Sequence, residues 1–174
     1  VQKVIREGLA KGADRGIHLE EGDHIEKDPL SIAKRFSSIL KDENFDLILS
    51  GLQSDDTGMG QTGVLIGEML GSSTATLAIE TKLEQGKIKV KRELESGWFQ
   101  WVELPLPASL SIQSGLNTPR YPSLKGIMGA KKKEIKSIPT ESESNQALTI
   151  EKVFIPQASK QTEVIEEETD VAVN

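Results

Sequence analysis

The chain has no cysteine, so disulfides, thiolate zinc sites, iron–sulfur clusters and cysteine nucleophiles are excluded. A reducing compartment is permitted by that absence and not required by it. No apolar run approaches the ~20 residues of a membrane-spanning helix, and no signal-peptide pattern opens the sequence. Membrane insertion is therefore not expected. Positive charge is in deficit: 21 Lys and Arg against 27 Asp and Glu leave a net charge of −6. A general nucleic-acid binder relies on phosphate neutralisation, so none is expected here. No serine sits in a G-x-S-x-G elbow or near a histidine, and no carboxylate pair divides into acid and base. His18 and His24 have no second ligand at metal spacing and read as structural residues. An enzyme with catalytic residues of its own is not expected, and neither is a bound metal.

What is present suits one domain followed by a tail. The 174 residues are 36% hydrophobic and 28% charged, polar for a globular protein but far from disordered. Val1 falls in what reads as mid-helix, so a piece lacking its N-terminal part is expected. VQKVIREGLAKG sets Val1, Ile5 and Leu9 on one helical face, with Gly12 as the stop. ADRGIHLEE, with a short apolar core at Ile17, His18 and Leu19, reads as a strand. Asp28-Pro29 reads as a helix start, the acid as cap and the proline at the first helical position. Leu30, Ala33, Phe36, Ser37 and Leu40 supply the stripe of that helix. FDLILSG reads as a second strand, apolar on both faces like a central parallel strand. A loop and a helix over Gln61–Leu70 follow. This alternation predicts an α/β three-layer sandwich with a mostly parallel sheet.

Beyond residue 71 the pattern changes to apolar–polar alternation, with turn signals at Gln85-Gly86 and Ser96-Gly97. It predicts a β-meander or hairpin whose last strand enters the main sheet. Trp98 and Trp101 flank that second turn and read as packing or subunit-interface residues. Residues 115–126 read as a loop and IMGAKKKEI as a short basic helix. The domain is expected to end near 136, with 137–174 as a C-terminal extension. From Gln157 the extension carries Lys160 against five acids, a net −4 that composition assigns to a solvated tail.

Two stretches carry chemistry. GLQSDDTGMGQTG (51–63) leaves a strand and enters a helix, the position at which α/β sheets bind nucleotides. Free amides of the helix's first turn would favour an anion, and Gly58, Gly60 and Gly63 would let the backbone come close. Asp55 and Asp56 would repel a phosphate; they suit ribose hydroxyls or an adenine amino group, or the loop's own amides. The lysine of a P-loop and the full G-x-G-x-x-G spacing are missing, so a plain strand-to-helix turn with capping aspartates stays open. The second stretch, PRYPSLKGIMGAKKK, holds Leu124 in a proline-bounded loop. From Arg120 to Lys136 it has six basic residues against one acid, a net +5 in an acidic chain. Composition alone allows either a solvated helix end or a surface that steers an acidic partner.

GLQSDDTGMGQTG resembles the adenine-nucleotide loop of the electron transfer flavoprotein β subunits. LAKGADRGIHL is similar to that family's helix-to-strand junction, VKRELESGWFQWVELPLPASLS to its signature stretch, and NTPRYPSLKGIMGAKKKEI to its N-x-P-R-Y segment. The likeness covers roughly residues 1–136. It implies a heterodimer with an α subunit and one FAD, held mostly by α and reduced by flavin-dependent dehydrogenases such as acyl-CoA dehydrogenases. Electrons would pass to a downstream quinone oxidoreductase and the respiratory chain. It also implies AMP on this subunit, held by Asp56, Thr57, Gly58, Met59, Gly60, Gln61, Thr62, Gly63, Val64, Leu65, Ile66 and Gly67.

The same resemblance implies dehydrogenase docking through Tyr121, Leu124, Ile127, Met128, Lys131, Lys132 and Lys133, with Leu124 as the anchor. Its location would be the cytoplasm of a prokaryote or the mitochondrial matrix of a eukaryote. Leu52, where relatives often carry a basic residue, and Gly129, a lysine in some, depart from the pattern. An electron-bifurcating relative with a second FAD in place of AMP is one alternative. A stand-alone adenine-nucleotide module of stress-protein type is another. An adenylylating enzyme would need a serine- and glycine-rich pyrophosphate loop with a nearby catalytic cation, and neither is present.

Overall fold

A computed structural model describes residues 1–20, 28–139 and 147–155. His24 and the acidic run from Gln157 lie outside the described residues. Asp28 caps the helix that Pro29 opens: its Oδ1 accepts the Ser31 amide at 2.7 Å, and the proline, lacking an N–H, leaves no donor unmet there. That helix, α2 (Pro29–Leu40), follows α1 (Gln2–Ala10) and β1 (Gly16–Glu20). Next come β2 (Leu47–Gly51), α3 (Thr62–Met69), β3 (Ser73–Glu84), β4 (Lys87–Glu93), β5 (Phe99–Pro105) and β6 (Ala108–Ile112). The last elements are α4 (Leu124–Ala130) and β7 (Ile135–Pro139). The fold is α/β, a Rossmann-like three-layer arrangement with a mostly parallel sheet, as the alternation predicts.

Strand order is β2-β6-β3-β4-β5 in one sheet, and β1 pairs with β7 in parallel in a second. The final strand of the meander does enter the parallel part: β6 lies between β2 and β3 and is parallel to both. Pairing alternates along β6. Ala108 and Leu110 join Ala75, Ala78, Ile88 and Val90 in the buried apolar cluster, while Ser109 and Ser111 face the other way. The serine face receives α3 at close range. A Cβ on Gly63 would collide with Ser50, and one on Gly67 would lie 2.7 Å from the Ser109 Cβ.

Three expectations are corrected. Among the described residues β2 pairs on one side only, and Leu49 is 59% exposed, so β2 is not a strand buried on both faces. Residues 127–135 are not one basic helix: Ser123 accepts the Gly126 amide at 3.0 Å and starts α4 at Leu124, and the lysines fall in the turn after it. β7 continues to Pro139, because residues 135–139 pair in register with Gly16–Glu20. Residues 137–139, counted with the C-terminal extension from sequence, therefore belong to the strand. Trp98 and Trp101 are exposed, by 72% and 39%. Phe99 and Trp101 lie on the face of the meander opposite Val102 and Leu104, with Lys91 4.4 Å over the Phe99 ring and Lys82 4.7 Å over Trp101.

Candidate functional site

A cavity of about 600 Å³ opens at the C-terminal end of β2. The strand-to-helix loop forms one side of it through Gly51, Leu52, Gln53, Ser54, Thr57, Met59 and Gly60, and Gln61, Thr62 and Gly63 carry the wall into α3. Gly60 holds φ +61 beside the Leu52 carbonyl, a conformation that side-chain-bearing residues rarely adopt, which explains a glycine there. Across the cavity stand Asp28, Pro29 and Ile32 from α2, together with Leu148, Thr149 and Ile150.

The helices differ at their starts: α1, like α3, has no side-chain cap, but it does not line the cavity. α2 and α4 are capped by Asp28 and Ser123, whereas Gln61 gives α3 no side-chain cap and no acid occupies its first turn. First-turn amides of α3 are thus left to a ligand or water, with the positive end of the helix dipole behind them. An anion is the chemistry that such a start accepts. The acids do not compete for those amides. Asp56 turns back on its own loop, where its Oδ1 accepts the Thr57 amide at 2.6 Å. The Ser54 hydroxyl, then that amide, hold the Asp56 carboxyl below the usual aspartate range. Ser54 and Thr57 share a hydrogen bond at 3.0 Å, and the Gly58 amide reaches the Ser54 carbonyl at 3.1 Å.

Of the residues assigned to a nucleotide from sequence, Thr57, Met59, Gly60, Gln61, Thr62 and Gly63 line the cavity. Asp56, Gly58, Val64, Leu65, Ile66 and Gly67 do not. Ile66 and Gly67 are buried against the sheet, so they seat α3. Sequence reasoning missed Pro29, Ile32 and Leu148–Ile150 as lining, and read Asp28 as a helix cap alone. Gly51, Leu52, Gln53 and Ser54, which precede the span that the resemblance implies, line the cavity as well.

The docking residues are grouped differently from one another. Leu124, Ile127 and Met128 fall at the i, i+3, i+4 spacing of one helix face and are exposed, Leu124 by 75%. Tyr121, 94% exposed, precedes them. Leu124 is thus a first-turn helix residue and not a loop residue. Lys131 and Lys132 are exposed beyond the helix end, but Lys133 is engaged: its Nζ donates to the carbonyls of Leu9, at 3.1 Å, and Ala13. Arg6 returns the tie from α1, donating to the carbonyls of Ala130 and Lys133. Among the described residues no cluster of His, Cys, Asp and Glu could hold a metal, and no helix is long and apolar enough to cross a membrane.

Fold and cavity together define an α/β protein with a cavity at the carboxyl end of a parallel strand, the place where such sheets take ligands. Comparison makes this specific. The family described as "Electron transfer flavoprotein domain" matches residues 1–143. The electron transfer flavoprotein subunit beta of Bos taurus is 41% identical over 141 residues, 79% of this chain and 54% of the relative. That of Bradyrhizobium diazoefficiens is 42% identical over 133 residues, 76% and 52% of the two chains. That of Methylophilus methylotrophus is 34% identical over 140 residues, 79% and 53%. The chain belongs to the electron transfer flavoprotein family, and it spans about half the length of the curated relatives it matches.

Proposed function

We propose that the chain is part of the β subunit of a heterodimeric electron transfer flavoprotein. In this reading it completes a protein that takes electrons from flavin-dependent dehydrogenases and passes them to a quinone oxidoreductase, in the cytoplasm of a prokaryote or the mitochondrial matrix of a eukaryote. FAD, held mostly by the α subunit, supplies the electron-carrying chemistry; this chain contributes binding surfaces and no catalytic residue. The cavity at the end of β2 takes AMP. Its phosphate sits on the α3 amides, and the ribose and base meet the polar loop and the apolar wall. The observation that carries the reading is the start of α3, with neither a side-chain cap nor a first-turn acid, facing that cavity. The exposed Leu124–Ile127–Met128 face, with Lys131 and Lys132 beyond it, docks the dehydrogenase.

The test is co-expression of the full-length protein with its α partner. Visible absorption reports flavin in the complex. Chromatography of the ligand released by heat is expected to show AMP in equal amount to the β subunit. Release of FAD alone, at two per heterodimer, would replace AMP with a second flavin in this site.

A further inference from the structure

Asp28 does more than cap a helix. Its carboxylate is almost fully buried and divides its two oxygens between two parts of the chain. Oδ1 takes the Ser31 amide that begins α2. Oδ2 takes the amides of Ala147 and of Leu148, the latter at 3.0 Å, from a segment about 120 positions away in sequence. Residues 148–150 then run directly along the cavity, opposite the α3 amides. Segment 147–155 forms no helix or strand, so no backbone ladder fixes its position there. Its place at the cavity rests on side-chain acceptors such as this carboxylate.

The lining separates by chemistry. Backbone donors and the side chains of Gln53, Ser54 and Thr57 stand on the loop side, while Pro29, Ile32, Leu148 and Ile150 make an apolar side. Leu148 and Ile150 keep 48% and 42% of their surface exposed, apolar area that an aromatic base can cover.

We propose that Asp28 is a positioning residue of the ligand site: by holding the Ala147 and Leu148 amides it seats Leu148 and Ile150 as the wall against which the base packs. The inference rests on the adenylate reading of the cavity given above. It makes the segment after β7 a working part of the nucleotide site.

The charge state and the two oxygens of Asp28 allow the two roles to be separated. Asp28→Asn keeps an oxygen for the Ser31 amide, and asparagine caps helices as well as aspartate does. Its amide nitrogen then meets the Ala147 and Leu148 amides donor to donor, so the wall is released while α2 stays capped. Calorimetric titration of AMP into the assembled, nucleotide-stripped protein is the measurement. Asp28→Asn and Leu148→Ala are each expected to weaken AMP binding about tenfold, the scale of one lost ordered apolar contact. Because both act through the same wall, the double variant should lose little more than either single one. AMP should also protect residues 147–155 from limited proteolysis in the unmodified protein and not in Asp28→Asn.

Unchanged AMP affinity in Leu148→Ala, whose substitution leaves the α2 cap untouched, overturns the wall even should Asp28→Asn fold poorly. Fully additive losses overturn the shared mechanism. Failure of the unmodified protein to bind AMP is a different result: it removes the adenylate reading itself.

Discussion

Gly67 of α3 lies against Ser109 of β6 so closely that a Cβ on the glycine would stand 2.7 Å from the serine Cβ. Thr74 crowds the same point from β3. The helix therefore approaches the sheet only because a glycine, a serine and a threonine meet there, and Gly63 against Ser50 repeats the arrangement one turn earlier. Gly67→Ala must push α3 off the sheet, an overpacking expected to cost about 1–3 kcal/mol. Urea denaturation checks it. Glu68→Ala, exposed on the same helix, should stay within about 0.5 kcal/mol of the parent.

Val90 is fully buried between Val102 on β5 and Thr81 on β3, in the apolar cluster that the meander closes over. Truncation leaves a cavity that neighbours on three strands cannot fill. Val90→Ala is expected to lower stability by about 1–3 kcal/mol, with the urea midpoint falling and the slope unchanged. A changed slope would show that the meander had loosened as a unit.

The lysines after α4 should separate in experiment. Under the docking reading, Leu124→Ala reduces electron transfer from the dehydrogenase while flavin content is kept. Lys131→Ala and Lys132→Ala slow association and flatten its dependence on ionic strength, as exposed steering charges do. Lys133→Ala behaves otherwise. It removes the ammonium that ties the Leu9 and Ala13 carbonyls, so its main effect is a lower melting temperature, read by calorimetry.

Acid should act through Asp28. The Ser31 amide, helped by those of Ala147 and Leu148, holds its carboxyl below the ordinary aspartate value of 3.8. A folded pKa below the unfolded one means stabilisation that is complete above the unfolded value and disappears as pH falls through the folded value. The stability difference between the parent and Asp28→Asn is expected to be constant from about pH 5 upward and to shrink below about pH 4. Melting temperatures of the two proteins across pH 3–7 measure it; a difference independent of pH would sink the assignment.

Local signals in the sequence were sufficient for local structure. Asp28-Pro29 announces α2, Gln85-Gly86 and Ser96-Gly97 announce the meander turns, and FDLILSG (45–51) announces β2, because capping, turn geometry and apolar patterning act within a few residues. Pro122-Ser123 carried an equally usable start signal for α4, masked by Gly126 and Gly129 in a seven-residue helix. Gly126 is there for packing: a Cβ on it would strike the Ala10 carbonyl of α1. What could not be read was non-local. Nothing in residues 148–150 marks them as cavity lining, since the carboxylate that holds the Leu148 amide is about 120 residues away. The exposure of Leu49 is likewise a matter of strand order, and an apolar strand looks the same at an edge or a centre.

The placement of β6 also bears on how the chain is made. Its two neighbours, residues 47–51 and 73–78, are synthesised first, yet they do not pair with each other and must leave a slot one strand wide. Translation adds roughly 34 residues between Ala78 and Ile112, about 2–7 s at ~5–20 residues per second. For those seconds a ribosome-bound chain presents two open strand edges to its surroundings. Nascent chains stalled before Ala108 should therefore be the ones that holdase chaperones retain.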